Sequence, residues 1–432
     1  MNLKTGKVES SMEKKLTICY IAWLIFNEND DYDDLLRQIA ERKFNCIRIE
    51  DGAGLLWDQQ GNHRKDVQVS APFGKYTQYT TWRPIVTSKK LDLLERLIRI
   101  CRTAKKYQLQ VILSTWFFLH TNWFYEEADK ARYFEMSTPE KMHFFGQELG
   151  RILDVLRREN LIDVVAFAEI FNEFDGLPFA GEQRGMDPEA ATELRLLHEK
   201  EIADLKQKHP DVLFAFDSCT AYVQEELIPR NIDVWNFHIY YLWPLYYVFE
   251  KNLVSRSLEE PEIPAETRYF LKDELVSVKS VAESMDCLRT GLAWPRRISL
   301  YLSIDPAKEN ELTELLDRSL EENIQEYRDR LYNSVEKLLE THQKIVPHSK
   351  IVVGEGCTYC GSPTLAFERD SIHFWEMVKE HMLLFREKDF WGTIVSTTHA
   401  PDRTAAWDAC KERYIQMNEL FLESNSQENV RN

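Results

Sequence analysis

Val164-Val165-Ala166-Phe167-Ala168-Glu169-Ile170-Phe171 is an almost continuous apolar run, and Asn172-Glu173 follows at once. A strand of a parallel sheet covered on both faces reads this way, because neither row of its side chains meets water. Helical patterns flank it. Thr138–Glu159, opened by Ser137-Thr138-Pro139 with a cap residue and an early proline, comes before, and Pro188–Lys208 comes after.

The same unit recurs in both directions. Upstream lie the apolar runs Leu16–Trp23, Asn45–Glu50 and Leu109–Trp116, separated by Tyr32–Lys43 and Leu91–Tyr107, whose Leu35, Leu36, Ile39 and Leu94, Leu97, Ile98 recur at helical spacing. Downstream come Val212–Phe216, Val234–Tyr240, Lys350–Gly354 and Gly392–Thr397, with helices over Ser371–Arg386 and Ala405–Leu422. Eight strands alternating with helices predict an α/β fold, a (β/α)8 TIM barrel. The rhythm breaks between Tyr241 and Val346, where an aromatic opening, a charged stretch and a helical pattern over Lys308–Gln343 predict a long helical insertion after the sixth strand. A chain of 432 residues could hold two or three domains of roughly 150 residues, but one barrel with insertions fills the same length. The expected organisation is a flexible tail over 1–15, a single barrel over 16–423 carrying the insertion 241–346, and a disordered tail over 424–432.

Composition excludes several classes. With 54 Lys and Arg against 71 Asp and Glu the net charge is −17, and no dense basic run offsets it, so neither nucleic acid nor an anionic membrane is an expected partner. Only 15 Gly and 15 Pro beside 12% aromatic residues exclude collagen-like and low-complexity chains. The eight cysteines are scattered, several within apolar stretches, which points to reduced thiols and a cytoplasmic location. There is no apolar run of about 18 residues, and Met1–Met12 has no apolar leader region. Association into a homo-oligomer is compatible with such a chain. Cys357-Thr358-Tyr359-Cys360 has CxxC spacing but no second pair, so loop packing is preferred to a metal or redox site.

In such a barrel the chemistry sits at the C-terminal ends of the strands. Those ends carry Arg48 and Glu50, Trp116, Asn172-Glu173, His238 and Tyr240, and Glu355. Two carboxylates on opposite walls suit a double displacement at an anomeric carbon, in which one protonates the leaving oxygen and the other attacks, with carboxyl groups about 5–5.5 Å apart. Glu355 is the expected nucleophile, held ionised by Arg48 and Tyr240. Glu173 is the expected acid/base, its pKa raised by burial near Phe171 and Phe174 and by the carboxylate opposite. Asn172 would donate to a sugar 2-hydroxyl, and His238 would bond near the acid/base. Trp116, Trp123, Tyr241 and Trp243 are candidate apolar walls for sugar rings. The plainer reading makes the two glutamates ordinary loop residues, Arg48 an ion-pair partner of Glu50 or Asp51, and the rings core packing.

Ala168-Glu169-Ile170-Phe171-Asn172-Glu173-Phe174 resembles the fourth-strand Asn-Glu motif of clan A glycoside hydrolases. His238-Ile239-Tyr240 resembles their sixth-strand His-x-Tyr, Val352-Val353-Gly354-Glu355 their seventh-strand nucleophile, and Arg48 within Asn45-Cys46-Ile47-Arg48-Ile49 their second-strand arginine. Within the clan the chain is most similar to the cellulase-like, sugar-binding branch, over Leu16 to Thr398. The resemblance implies a retaining β-glycoside hydrolase acting on β-linked oligosaccharides or small glycosides through a covalent glycosyl-enzyme intermediate, with a saccharide partner and neither cofactor nor metal. Two features depart from the pattern. Clan members place a Trp at the end of the eighth strand, whereas here Trp391 precedes the strand and Thr397-Thr398-His399 ends it. The insertion brings Tyr241, Trp243, Tyr246 and Tyr247, expected to narrow the cleft into a pocket suited to exo action or to small glycosides.

Two other classes fit the same residues. A metal-dependent sugar isomerase or epimerase would use Glu173, His238, Glu355 and His399 as ligands, although Arg48 beside Glu355 opposes a divalent cation and no His-x-His motif is present. A catalytically silent saccharide-binding protein would keep the residues without their spacing, so the separation of the carboxylates decides.

Overall fold

Eight short strands, buried along nearly their whole length, close on one another: Leu16–Tyr20, Cys46–Glu50, Gln110–Ser114, Val165–Glu169, Phe214–Ser218, Val234–Leu242, Lys350–Thr358 and Gly392–Ile394. All neighbours are parallel and follow chain order, and the first strand meets the eighth through Leu16↔Gly392 and Ile18↔Ile394. This is the (β/α)8 barrel expected from the apolar runs. The computed structural model describes residues 14–69, 89–116, 126–177, 186–250, 265–284, 293–358, 366–402 and 405–423. The two expected tails, but for Lys14 and Lys15, lie outside the described residues, as do Trp82, Phe117–Tyr125 with Trp123, and Cys360.

Local chemistry sets the helix starts. Asp31 and Asp92 each accept the backbone N–H of the third residue on, opening Tyr32–Glu41 and Leu93–Lys106. Ser137 and Glu140 form a capping box for Thr138–Arg158, with proline in its first turn. Asp187 caps Pro188–Lys208, and Ser371 caps Ile372–Glu387.

Inside the barrel, Leu16, Ile18, Cys46, Ile112, Ala166, Phe167, Ala215, Val234 and Val352 form an apolar floor. Side chains alternate along a strand, so the residues two positions on share that inner face. Cys46 is thus followed by Arg48 and Glu50, Ala215 by Asp217, and Val234 by Asn236 and His238. On the second, fifth and sixth strands the interior changes from apolar to polar or charged within two residues, and that change is the base of the site.

Several elements differ from the sequence expectation. The first strand stops at Tyr20, and Ala22–Phe26 is a buried 3-10 turn. The pattern over Lys308–Gln343 is two helices, Glu309–Glu322 and Ile324–Ile345. Asn323 separates them and its Nδ2 turns back to the Ser319 carbonyl at 2.6 Å. Leu312, Leu316, Leu320, Tyr327, Leu331 and Val335 are all buried, so the apolar stripe continues across the break and hides it in sequence. Val278–Ser284 and Ala293–Ser303 are further helices of this region. The terminal stretch likewise divides at Cys410 into Ala405–Ala409 and Lys411–Leu422. An antiparallel pair, Val67–Val69 with Lys89–Leu91, takes Leu91 out of the helix expected over Leu91–Tyr107, and a helix, Glu127–Glu135, stands where the sequence offered none. Among the described residues no helix is long and apolar enough to cross a membrane.

Candidate active site

Arg48 is fully buried at the centre of the charged layer. Its Nη1 lies 2.5 Å from Glu355 Oε1 and its Nη2 2.6 Å from Asp217 Oδ2, and it also donates to Glu169 Oε1 and Asn172 Oδ1. Burial opposes its charge, but Glu169, Asp217 and Glu355 outweigh that and hold its pKa well above the ordinary arginine value. A guanidinium, with five donors in a planar fork, can serve more partners at once than the three donors of an ammonium. The alternative pairing of Arg48 with Glu50 or Asp51 is not the one adopted. Asp51 instead accepts from Ala53 N–H and the Thr115 hydroxyl, and Glu50 from Trp116 N–H at 2.9 Å.

Glu355 reaches the interior through a bulge. Phe237 pairs with Val353 but His238 pairs with Glu355, so Gly354 is an extra residue in the seventh strand. A bulge re-aims the side chain that follows it. Tyr240 donates its phenol to Glu355 Oε2 at 2.6 Å, opposite the Arg48 contact on Oε1. Burial and the adjacent Glu355 carboxylate hold the Tyr240 hydroxyl well above its usual pKa, so it remains a donor.

Glu173 is placed by its backbone as much as by its side chain. With φ 45° and ψ 56° it is left-handed, an uncommon state for a residue with a Cβ. Its N–H donates to Asp217 Oδ1 at 3.0 Å, and its Oε1 lies 2.6 Å from His238 Nδ1. Burial raises the Glu173 pKa, the His238 hydrogen bond partly offsets this, and the Glu355 charge adds to the rise. The direction matches expectation, though Phe171 and Phe174 pack with Phe145, His198 and Phe216. Burial also works against a charged His238, yet Asp217 and Glu355 outweigh it and hold the ring well above its usual pKa.

The other expected residues divide. Asn172 is buried, and because Arg48 takes its amide oxygen, the NH2 is the group left to donate. Trp116 stands edge-on to Tyr20 at 5.5 Å and 5.5 Å from the Arg48 guanidinium; at 7% exposure it is a wall of the site more than an open platform. Trp243, half-buried just past the sixth strand, donates Nε1–H to the Tyr240 carbonyl at 3.0 Å. Tyr241 faces the other way, stacked on His381 and 3.4 Å from the Met377 carbonyl. Tyr247 packs on Tyr327 of the insertion. Strand alternation sends Tyr241 outward, so these two rings do not narrow the cleft. Trp391 sits at the opposite end of the barrel, 6.0 Å from Phe167 of the floor.

His399 also turns away. Its Nε2 lies 2.5 Å from Glu368 Oε2, and its ring is boxed by Phe374, Trp375 and Tyr414, so it cannot join Glu173, His238 and Glu355 as a ligand. Donor atoms of those three residues do lie within 4.8 Å of one another. The chemistry of the set does not fit a divalent cation, because Arg48 occupies Glu355 Oε1 and the raised pKa of His238 keeps protons on the nitrogens a metal would need.

Three residues of the layer escaped sequence reasoning. Glu169 is fully buried and its pKa is pushed up to about 7, burial exceeding the pull of Arg48. Asp217 is equally buried but its pKa is lowered, since His238 and Arg48 outweigh desolvation. Asn236 Nδ2 links them, 3.1 Å from Glu169 Oε2 and 2.7 Å from Asp217 Oδ2. Their signal was a polar residue inside an otherwise apolar strand, which must find a partner.

No family model matches this chain, and no curated protein does. Solved structures share its fold. A candidate glycoside hydrolase from Parabacteroides distasonis superposes with a TM-score of 0.60 at 15% identity, over 94% of this chain and 93% of its own. An endo-β-1,4-mannanase from Thermotoga petrophila superposes with a TM-score of 0.50 at 11% identity, over 98% of this chain and 79% of its own.

Proposed function

We propose that this barrel is a retaining β-glycoside hydrolase that cleaves β-linked oligosaccharides or small glycosides through a covalent glycosyl-enzyme intermediate. One observation carries the reading: an oxygen of Glu173 and an oxygen of Glu355 lie within 4.8 Å of each other. Retaining enzymes hold their carboxyl groups about 5–5.5 Å apart, whereas inverting enzymes need about 6.5–9.5 Å to admit a water. The close spacing also argues against a silent saccharide-binding protein that keeps the residues without the geometry. The mannanase and the candidate glycoside hydrolase that share the fold are consistent with a saccharide substrate.

In the first step Glu355 attacks the anomeric carbon as the bond to the leaving oxygen breaks, and Glu173 gives that oxygen its proton. The product is an ester between the sugar and Glu355, with Glu173 now a carboxylate. In the second step Glu173 takes a proton from water, the water oxygen attacks the anomeric carbon, and Glu355 departs as a carboxylate. Arg48 and Tyr240 orient the Glu355 oxygens, and the Asn172 NH2 is the donor suited to the sugar 2-hydroxyl.

The test is a panel of aryl β-gluco-, galacto-, manno- and xylosides, with product configuration followed by NMR. Turnover with retention, abolished in Glu355→Gln, is expected. Inversion, or full activity in that variant, would overturn the mechanism.

A further inference from the structure

Among the described residues Asp217 touches more of the machinery than any side chain except Arg48, and the double-displacement scheme assigns it nothing. We propose that Asp217, on the fifth strand, is the positioning residue of the acid/base, fixing the backbone of Glu173 with one carboxylate oxygen and the ring of His238 with the other. The inference rests on the glycosidase reading, in which Glu173 is the proton donor.

The two oxygens have separate tasks. Oδ1 accepts the Glu173 N–H at 3.0 Å. Glu173 is left-handed, a state that costs a residue with a Cβ on the order of 1–3 kcal/mol unless its surroundings over-determine it. The second tether is the Glu173 carbonyl, which accepts the Gly176 N–H at 2.8 Å. Oδ2 accepts from Arg48 Nη2 at 2.6 Å and Asn236 Nδ2 at 2.7 Å, and lies 3.2 Å from His238 Nε2. The opposite ring nitrogen, Nδ1, is 2.6 Å from Glu173 Oε1.

A carboxylate, an imidazole and a second carboxyl therefore form a chain of contacts across three strand ends. The groups that face His238 are Asp217 from the fifth strand, Glu173 beyond the fourth, and Glu355 of the seventh, whose Oε1 is 3.6 Å from Nε2. With an anion behind Nε2, the ring presents Nδ1–H to Glu173. As Glu173 passes its proton to the leaving oxygen, the carboxylate it becomes already has a charge-assisted donor in place, and nothing must reorganise. Asp217 thereby lowers the cost of the proton transfer without touching substrate.

Asp217→Asn separates the two tasks. The amide oxygen can still accept the Glu173 N–H, but the amide nitrogen now confronts the Arg48 and Asn236 donors, and the anion behind His238 Nε2 is gone. Glycosides whose leaving group needs protonation, such as alkyl glycosides or disaccharides, should slow by roughly 100-fold, the scale of general acid catalysis. Dinitrophenyl glycosides, which leave unaided, should slow far less. Side-chain 15N NMR, with the His238 signal assigned by its loss in His238→Gln, should show an imidazolium at neutral pH in the wild type and a neutral ring in Asp217→Asn. Equal slowing of both substrate classes with the ring still charged would overturn the proposal and leave Asp217 a structural residue. Should Asp217→Asn fail to fold, a neutral His238 in the wild-type spectrum refutes the proposal and an imidazolium supports it. A wild type inert towards every glycoside refutes the glycosidase reading instead, and the ring's charge is measured without substrate.

Discussion

A Cβ added to Gly354 would come within 2.4 Å of Asn236 Oδ1, closer than a Cβ atom sits to any neighbour in a folded protein. The bulge that turns Glu355 inward is thus filled by the amide that bridges Glu169 and Asp217. Gly354→Ala should force Asn236 aside, at a cost of about 1–3 kcal/mol for overpacking, and should lower kcat as Glu355 shifts. Urea denaturation and steady-state kinetics read both effects. Unchanged stability and turnover would mean the seventh strand is not confined as described.

Tyr240→Phe removes the phenol that bonds Glu355 Oε2. A hydrogen bond to a charged group is worth about 1.5–3 kcal/mol, so kcat/KM should fall roughly 10- to 100-fold with the fold intact. Circular dichroism beside the kinetics checks this, and a kcat/KM equal to wild type would remove Tyr240 from the orienting set.

Arg48→Lys keeps the charge but not the fork. One ammonium cannot reach Glu355, Asp217, Glu169 and Asn172 together, so part of the buried carboxylate cluster is left uncompensated. Breaking a buried pair costs about 3–5 kcal/mol, and a drop of that order in unfolding free energy is expected alongside lost activity. A variant as stable as wild type would show that the charge alone suffices.

Asp175, 2% exposed, accepts the Cys219 N–H at 2.7 Å, and burial pushes its pKa from 3.8 up to about 7. The folded state holds this proton more tightly than the unfolded chain. Its contribution to stability is therefore complete below about pH 4 and is lost as pH rises through about 7. Asp217 acts in the opposite sense, its lowered pKa favouring the fold above the usual aspartate value. The difference between variant and wild type isolates Asp175: in Asp175→Asn the fall in melting temperature between pH 5 and pH 8.5 should shrink. An identical fall in both would contradict a buried, protonated Asp175.

Dialysis against EDTA, and re-addition of magnesium or manganese, should leave activity unchanged, since Arg48 already holds Glu355 Oε1 and the raised pKa of His238 disfavours the bare ring nitrogen a cation would need. Loss on chelation with recovery on metal would restore the isomerase reading.

The eight strands could be read from the chain because a strand buried on both faces shows as a continuous apolar run whatever its partners are. Helix starts were legible where a cap residue marks them, as at Ser137. The break at Asn323 was not, because the stripe of buried leucines passes through it. Arg48, Glu173, His238, Tyr240 and Glu355 were found as polar residues where apolar strands end. Tyr241 and His399 stand at comparable strand ends yet face outward, since inward or outward is a matter of parity, and parity depends on each strand's pairing and bulges.

By itself, then, the chain's order of residues determined a barrel and which functional groups stand at its rim, since burial and helical period are written locally in the pattern of apolar side chains. Only the tertiary structure decided what those groups are to one another. It set Asp217 between Arg48 and His238, filled the Gly354 bulge with Asn236, and brought Glu173 within reach of Glu355, because charges separated by long stretches of chain acquire partners, distances and shifted pKa values only when eight strands close in one register.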